Sequence, residues 1–248
     1  ITLTLLGDPS TRDAASADGL LESVTDSRRL LARWIGGSTA ATVQAHHQIG
    51  SSVLIAATLS MLQRRSDATP RAGALFDPIA LMAFDDNVTN TSSGNLGYSS
   101  KDRAKRLAAD ASITLLSLTH TVKLGAGVEQ NELRTRGLNS CLFRDATTDD
   151  TGHPAGDSWT TYVFSQSGRG HNMVPTVYAQ DSWAVTNRLR LNYGLRWDGQ
   201  FIAGDTGATL NFTRQFAPRL GIVYQAGALG TSKWFGSLGR FYEQIPLT

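Results

Sequence analysis

The stretch "RLRLNYGLRWD", Arg188–Asp198, alternates between apolar and polar residues almost without interruption. Its apolar row consists of Leu189, Leu191, Tyr193, Leu195 and Trp197. Successive side chains of an extended chain point to opposite faces, so a period of two predicts a β-strand between two unlike environments. In a soluble sandwich the apolar row would face a core, whereas in a membrane barrel it would face lipid and the arginines would face a wet lumen. One strand leaves both interpretations open.

The same alternation recurs in pairs of segments that are separated by short turns. In one pair the apolar positions include Leu107, Ile113, Val122 and Leu124, and the polar positions between them include Asp110, Lys123 and Glu129. Only a few residues around Leu118 separate the two segments. Further turns are predicted around Gly50, at 185–188 and at 226–231. Each pair therefore predicts a β-hairpin with a tight turn.

The connections between these hairpins are long and rich in Gly, Ser, Thr, Asp and Asn. They cover 7–27, 65–101, 136–173 and 202–213, so short and long connections alternate along the chain. Outer-membrane barrels are built as up-and-down meanders with short turns at one end and long loops at the other. Soluble sandwiches use Greek-key connections, and loops beyond about 12–15 residues are uncommon in them. The pattern predicts an all-β, antiparallel transmembrane barrel segment of about nine strands.

This architecture assigns an environment to each face of the strands. The predicted lipid-facing residues are Leu107, Ile113, Val122, Leu124, Leu189, Leu191, Tyr193, Leu195 and Trp197. The predicted lumen-lining residues are Asp110, Lys123, Glu129, Arg190 and Arg196. Glycines inside the strands, such as Gly125 and Gly194, suit a curved sheet or a close approach by something inside the barrel.

Composition excludes several other classes of protein. The charge of +2 arises from 23 basic and 21 acidic residues, which provides no basic footprint for nucleic acid. No apolar run reaches the roughly 18 residues that a membrane-spanning helix needs. The single cysteine, Cys141, excludes an internal disulfide and a cysteine-rich zinc site. No phosphate-binding loop, nucleophile elbow or HExxH motif is present, so we expect no enzyme activity, no cofactor and no metal site.

Three segments resemble the barrel region of TonB-dependent outer-membrane receptors, particularly the subgroup that carries a carboxypeptidase-regulatory-like domain. They are "VYAQDSWAVTNRLRLNYGLRWD" at 177–198, "FAPRLGIVYQ" at 216–225 and "GSLGRFYEQI" at 236–245. The segment "HTVKLGAGVEQNE" at 120–132 is similar to the strand that precedes them, with matches at His120, Lys123, Gly125 and Glu129. Over residues 1–118 the resemblance rests on architecture and on "TLLGDPS" at 4–10.

The resemblance implies a barrel of about 22 strands in the cell outer membrane, plugged by an N-terminal domain. Such a receptor imports a scarce small-molecule or oligomeric nutrient with energy that TonB delivers. The implied partners are outer-membrane lipid, the receptor's own plug domain, TonB and the nutrient, with no nucleic acid. The lumen charges would pair with the plug or meet the substrate.

The sequence also departs from the family. About nine strands are predicted, no plug or TonB-box region precedes them, and the family continues with further strands after "FYEQIPLT" at 241–248. We therefore expect residues 1–248 to be a partial barrel without a plug domain. An open sheet of this kind leaves two unpaired edges, which the bilayer core does not tolerate.

Three alternatives remain open at this stage. A passive pore or an adhesin-anchoring barrel would share every strand feature but would lack a plug. A soluble secreted β-sandwich binding protein would place the leucines of 188–198 in a core. An outer-membrane hydrolase would need a convergent Ser/His or Asp/His group, for which the chain offers His153, His171, Asp149, Asp157 and Ser158.

Overall fold

The computed structural model describes residues 1–15, 23–24, 31–70, 78–89, 91–148, 151, 154–228 and 231–247. Most of these residues belong to one mainly antiparallel sheet. Its strands are β1 (Thr2–Gly7), β2 (Ser10–Ala15), β3 (Ser23–Val24), β4 (Leu31–Ile49), β5 (Val53–Pro70), β6 (Ala83–Asp86), β7 (Thr91–Gly94), β8 (Tyr98–Leu116), β9 (His120–Thr148), β10 (Pro154–Ala184), β11 (Leu189–Gly204), β12 (Thr209–Ala226) and β13 (Ser232–Gly239). A single turn of helix, α1 (Pro78–Leu81), precedes β6. In the described part of the chain no helix has the length and apolarity to cross a membrane.

The main path of the sheet is an antiparallel meander. Its strand order is β1-β4-β5-β8-β9-β10-β11-β12-β13, with β2, β3, β6 and β7 attached at the side. Neighbours in this order also follow one another in sequence, apart from the small attached strands. The predicted all-β, up-and-down barrel segment of about nine strands is confirmed. Within the described residues β1 and β13 are the two ends of this path, so the sheet is not closed.

The short turns lie where the alternation predicts them. They connect β4 to β5, β8 to β9, β10 to β11 and β12 to β13. Gly50 in the first turn has φ 58°, a left-handed conformation that glycine adopts without strain. In the third turn the Thr186 hydroxyl accepts hydrogen bonds from the backbone N–H groups of Arg188 and Leu189, at 3.1 and 3.0 Å. The tip of the last turn, 229–230, lies outside the described residues.

The long connections are shorter than the sequence predicts, because the strands continue into them. Strand β9 runs to Thr148 and β10 begins at Pro154, so the predicted loop 136–173 is mostly a two-stranded arm. Strand β5 likewise continues to Pro70. Where both faces of a ribbon meet water, no apolar row is needed, and the alternation disappears although the backbone pairing persists. The prediction of irregular loops at these residues was wrong for this reason.

The predicted loop 7–27 also begins with strand. Strand β1 pairs with one half of β4 and β2 with the other, so together they form one edge that is interrupted at Asp8. The Asp8 carboxylate accepts hydrogen bonds from the backbone N–H and the hydroxyl of Ser38, at 2.5 and 2.7 Å. Gly37 lies beside this interruption with φ 119°, and a Cβ there would lie 2.8 Å from Pro9 Cα. Only glycine fits the chain at this point.

We expect Gly37→Ala to lower the free energy of unfolding by about 2–3 kcal/mol, because the alanine would be strained and would overlap the opposing backbone. Urea unfolding of the intact protein in detergent, followed by tryptophan fluorescence, measures this. Gly36→Ala is the matched control, since its Cβ would have no neighbour closer than 3.5 Å. Equal losses in the two variants would contradict the strain at Gly37.

The segment from α1 to β7 packs on the arm formed by β9 and β10. Strand β6 pairs in parallel with Cys141–Arg144, and the Phe84 ring stacks on Trp159 with centroids 5.5 Å apart. The Arg144 guanidinium binds Asp86 at 2.8 Å and Asp157 at 2.5 Å. This outer connection is therefore anchored to the arm rather than free of it.

Candidate functional site

The strand register separates the sheet into two chemically different faces. Ile113 pairs with Leu124, and Ala179 pairs with both Leu124 and Leu195, so these residues share one face. Alternation along the same strands adds the other predicted lipid-facing residues to this face, which are Leu107, Val122, Leu189, Leu191, Tyr193 and Trp197. The predicted lumen-lining residues lie on the opposite face, which are Asp110, Lys123, Glu129, Arg190 and Arg196. We call these the apolar face and the polar face.

The apolar face is uncovered in the described part of the molecule. Its large side chains are broadly exposed, for example Leu59 at 51%, Leu195 at 49% and Leu220 at 56%. Among the described residues of the sheet few apolar side chains are buried, so no conventional core exists there to receive them. An apolar surface this extended requires an apolar partner.

The polar face carries a cavity of about 1060 Å³ against strands β8 to β13. The side chains that line it from the polar face include Asp110, Thr114, Lys123, Tyr178, Gln180, Asn192, Arg196, Arg219 and Ser237, with Phe241 from beyond β13. Its size is at the upper end of small-molecule sites, about 300–1,000 Å³. Charges of both signs and aromatic rings converge there, as in sites that bind polar organic molecules.

An aromatic ring and a lysine form one wall of this cavity. Tyr178 is the direct cross-strand partner of Gly125, and its ring occupies the place that a Cβ of Gly125 would take. The Lys123 ammonium lies 5.9 Å from the centroid of the same ring, within cation–π range. The close approach that Gly125 predicts therefore comes from the neighbouring strand.

Gly194 has the same explanation. A Cβ there would lie 2.9 Å from both the carbonyl oxygen of Ala179 and the Cβ of Gln180. Both strand glycines make room for the adjacent strand.

Arg196 lies in the cavity wall as part of a neutral cluster. Its Nε donates to both carboxylate oxygens of Asp198, at 2.8 and 3.0 Å. The Thr176 hydroxyl donates to Asp198 at 2.6 Å and accepts from the Arg196 guanidinium at 3.2 Å. Asp198 is 9% exposed, so this cluster forms part of the wall. Its charge is balanced locally, which the alternation alone does not reveal.

The structure brings Asp110, Lys123 and Arg196 together at the cavity and leaves the other two predicted lumen residues outside it. Glu129 forms an ion pair with Arg106 and accepts a hydrogen bond from Asn131 at 2.8 Å. Arg190 lies near a short turn, with its guanidinium 3.5 Å from the Ser182 hydroxyl.

The cavity residues that were missed from the sequence include Tyr178, Gln180 and Arg219. The alternation of 177–183 places Tyr178 and Gln180 on the polar face, so this signal was present. Arg219 was harder to find, because its neighbours on the polar face of β12 are Ala217 and Gly221 and do not look polar. The register is needed to assign that strand.

The segment after β13 lies along the polar face. The Gln200 side chain donates to the carbonyl oxygen of Ile245 at 2.8 Å and accepts from its N–H at 3.2 Å, and Gln200 is fully buried. The Arg219 guanidinium stacks on the Phe241 ring at 4.8 Å. These contacts give the cavity one of its rims.

A polar cluster interrupts the apolar face near the short turns. The Asp181 carboxylate receives a hydrogen bond from the Tyr193 hydroxyl at 2.8 Å and lies 2.6 Å from the His120 Nδ1. The His120 ring stacks on Trp183 with centroids 5.4 Å apart. Aromatic rings with polar ends typically occupy the interface between lipid and water.

The structure gives no support to catalytic or metal chemistry in its described residues. These contain no group of three or more His, Cys, Asp or Glu that could hold a metal ion. Of the residues considered for a hydrolase, His153 and Asp149 lie outside the described part. His171 is the cross-strand partner of Glu132, and Ser158 is that of Asp145 far along the arm, so these residues do not converge.

Two titratable groups in this region, Cys141 in β9 and Asp86 in β6, have shifted pKa values. Burial raises the pKa of the Cys141 thiol and disfavours its reactive thiolate form. For Asp86, burial raises the pKa, but hydrogen bonds from Thr89, Arg144 and the Val88 N–H outweigh burial and hold the pKa below its ordinary value. The Asp86 carboxylate therefore stays ionised and satisfied by its own protein partners.

An antiparallel meander with one apolar face, one polar face and all its short turns at one end is the wall of an outer-membrane type of β-barrel. Residues 6–244 match the family described as TonB dependent receptor-like, beta-barrel. The chain belongs to this family.

Individual relatives agree with this assignment. The chain is 28% identical over 180 residues to the TonB-dependent transporter Oar of Myxococcus xanthus, and the match covers 64% of the chain and 17% of Oar. It also resembles P. aeruginosa FpvA, solved with a heterologous pyoverdine and iron, with a TM-score of 0.53 and 15% identity. That match covers 91% of the chain and 31% of FpvA, and it shows the fold alone. The chain spans less than a third of each relative's length.

Proposed function

We propose that this chain is the barrel portion of an active transporter in the cell outer membrane, which imports a scarce nutrient with energy from TonB. The proposal rests on one observation. In a chain of this receptor family, an apolar face and a polar face lie on opposite sides of one sheet. An uncovered apolar face suits lipid, and the cavity on the polar face suits a solute in a wet lumen. The predicted lipid-facing and lumen-lining residues retain these roles.

The plug domain and the nutrient are the proposed partners of the polar face. Arg196 and Glu129 are already neutralised by Asp198 and Arg106 in the wall. Lys123 has no carboxylate partner among the described residues, and its ammonium lies at the Tyr178 ring in the cavity. A lysine beside an aromatic ring offers a charge and a stacking surface to an anionic or polar ligand. Lys123 is therefore the residue that we expect to meet the plug or the nutrient.

Uptake by living cells tests the transport function. The source organism, its deletion mutant for this gene and its deletion mutant for TonB would be grown with one limiting nutrient at a time, supplied as chelated iron, an oligosaccharide or a peptide. We expect uptake of one nutrient class to be lost in both mutants. Uptake that needs the gene but not TonB, together with an open conductance of the purified protein in planar bilayers, would show a passive pore instead.

We expect Lys123→Gln to lower uptake about tenfold at limiting nutrient, because one hydrogen bond to a charged group contributes at least this factor. Arg190→Gln is the matched control, since it removes one positive charge from the same face outside the cavity. Both variants should reach the membrane in wild-type amounts. Equal uptake by the two variants would show that Lys123 does not contact the nutrient during uptake.

A further inference from the structure

Four adjacent strands carry an arginine at the same register on the apolar-face side of the sheet. Arg65 pairs with Arg103, Arg103 with Arg134, and Arg134 with Arg169. We call these residues the arginine row. Like charges directly opposite one another on a sheet are destabilising, so a row of four is unfavourable for the wall alone. The lumen function does not explain it, because its side chains point away from the lumen.

The arginine row lies just beyond the part of the wall that would cross the bilayer. Each arginine is about 12 to 15 residues from the end of its strand at the short turns, whereas a crossing strand takes about 9–11 residues. Closer to the short turns the same face becomes apolar, with Leu107 and Met173 in one cross-strand row. The arginine row therefore lies at the level of the lipid headgroups, on the side of the sheet from which the arm of β9 and β10 extends.

Two carboxylates hold the four arginines in place. Asp67 binds Arg65 at 2.6 Å and Arg103 at 3.0 Å, while Glu132 binds Arg134 and, at 3.2 Å, Arg169. Asp67 is 1% exposed, and the arginine side chains are 42–58% exposed. The acids thus lie beneath the guanidinium groups, which face outward with two positive charges in excess. Lys105, the cross-strand partner of Glu132, adds a third.

We propose that the arginine row binds the phosphate-bearing headgroup of an anionic glycolipid in the outer leaflet. This inference rests on the proposed location in the outer membrane. Guanidinium groups bind phosphate through paired hydrogen bonds, and each arginine has five N–H donors, of which the two carboxylates use only some. Four strands about 4.8 Å apart make a row roughly 14 Å wide, enough for a headgroup with more than one phosphate. Because the carboxylates fix the guanidinium groups beforehand, little ordering remains for the lipid to impose.

Lipid binding by the intact, delipidated receptor tests the proposal. Native mass spectrometry in detergent would measure the affinity for diphosphorylated lipid A and for phosphatidylcholine. The test variant combines Lys105→Gln, Glu132→Gln, Arg134→Gln and Arg169→Gln, which leaves Asp67 paired with both of its arginines. The control combines Arg64→Gln and Arg106→Gln, which lowers the net charge equally but on the polar face at a similar height.

We expect lipid A to bind the test variant at least about tenfold more weakly than it binds the wild type and the control, with phosphatidylcholine weak throughout. Equal lipid A binding by wild type and test variant would overturn the proposal. If the test variant does not fold, binding of enzymatically dephosphorylated lipid A to the wild type is measured instead. Binding as strong as that of diphosphorylated lipid A would also overturn the proposal. Fractionation of cells that express the wild type distinguishes the proposed function from this inference. Absence of the protein from the outer membrane refutes the proposed function. Insertion into the membrane with lipid binding that does not depend on phosphate refutes this inference alone.

Discussion

Leu195→Arg is expected to lower the free energy of unfolding in lipid vesicles by about 2–4 kcal/mol, the effect of a basic residue at the middle of a barrel's lipid face. Leu195 lies near the middle of the first eleven or so residues of β11, which is the length that crosses a bilayer. It is half exposed on the apolar face, so the arginine would meet hydrocarbon rather than a protein group. Urea titration of the intact receptor in vesicles measures the loss.

Asn192→Arg provides the matched control three residues away. Asn192 lines the cavity on the polar face of the same strand, where water or the lumen receives a charge. We expect less than about 0.5–1 kcal/mol for this variant. If Asn192→Arg were the more damaging substitution, the two faces would be reversed and the leucines of 188–198 would belong to a core.

The second large loss of stability is expected when Asp67, which is buried beneath the arginine row, loses its arginine partners. The double variant Arg65→Gln and Arg103→Gln removes both guanidinium groups that bind this carboxylate, which is 1% exposed. We expect a loss of about 3 kcal/mol, the low end for an unpaired buried charge, because the arginine ends are partly exposed and already screened. Adding Asp67→Asn should restore most of the lost stability, since no buried charge then remains. A triple variant no more stable than the double variant would show that the loss has another cause.

The pH dependence provides an independent check of the same cluster. Burial raises the pKa of Asp67, and hydrogen bonds from Arg103 and Arg65 outweigh burial, so the pKa of Asp67 lies below its ordinary value. A lowered folded-state pKa stabilises the protein above the unfolded pKa, about 3.9, and this contribution is lost as the pH falls through the folded-state pKa. Without the two arginines, burial alone acts on Asp67 and raises its pKa. Protonation at lower pH then removes the buried charge together with its cost in stability. We expect the stability difference between wild type and double variant to narrow as the pH falls, first through the raised pKa of Asp67 in the double variant, which lies above about 3.9, and then through its lowered pKa in the wild type.

The arm formed by β9 and β10 is a paired ribbon rather than an irregular loop. The strands β9 and β10 continue as a paired ribbon well beyond the expected bilayer, and the α1–β7 segment packs on them through Phe84, Asp86 and Cys141. A paired ribbon holds its side chains in place better than an irregular loop does, because its backbone hydrogen bonds are satisfied within the ribbon. The ribbon therefore presents a preformed surface.

Much of the fold was predictable from local patterns. The alternation in Arg188–Asp198 and in its counterparts identified the strands, and the breaks in it around Gly50 and at 185–188 identified the turns. The predicted ends of the long connections were wrong, since backbone pairing beyond the bilayer needs no apolar row. The candidate site was predictable in part, because alternation assigned Lys123 to the polar face but could not select it over Arg190.

By itself the sequence determined the all-β class, the order of hairpins and the two unlike faces, because these depend only on which side of an extended chain each residue occupies. The tertiary structure alone decided which residues meet across strands. The neutral cluster of Arg196 with Asp198 and Thr176, the Tyr178 ring on Gly125 and the arginine row all join segments that are distant along the chain. Their physical cause is the register, since a shift of one residue between two strands would exchange every side chain between the apolar face and the polar face.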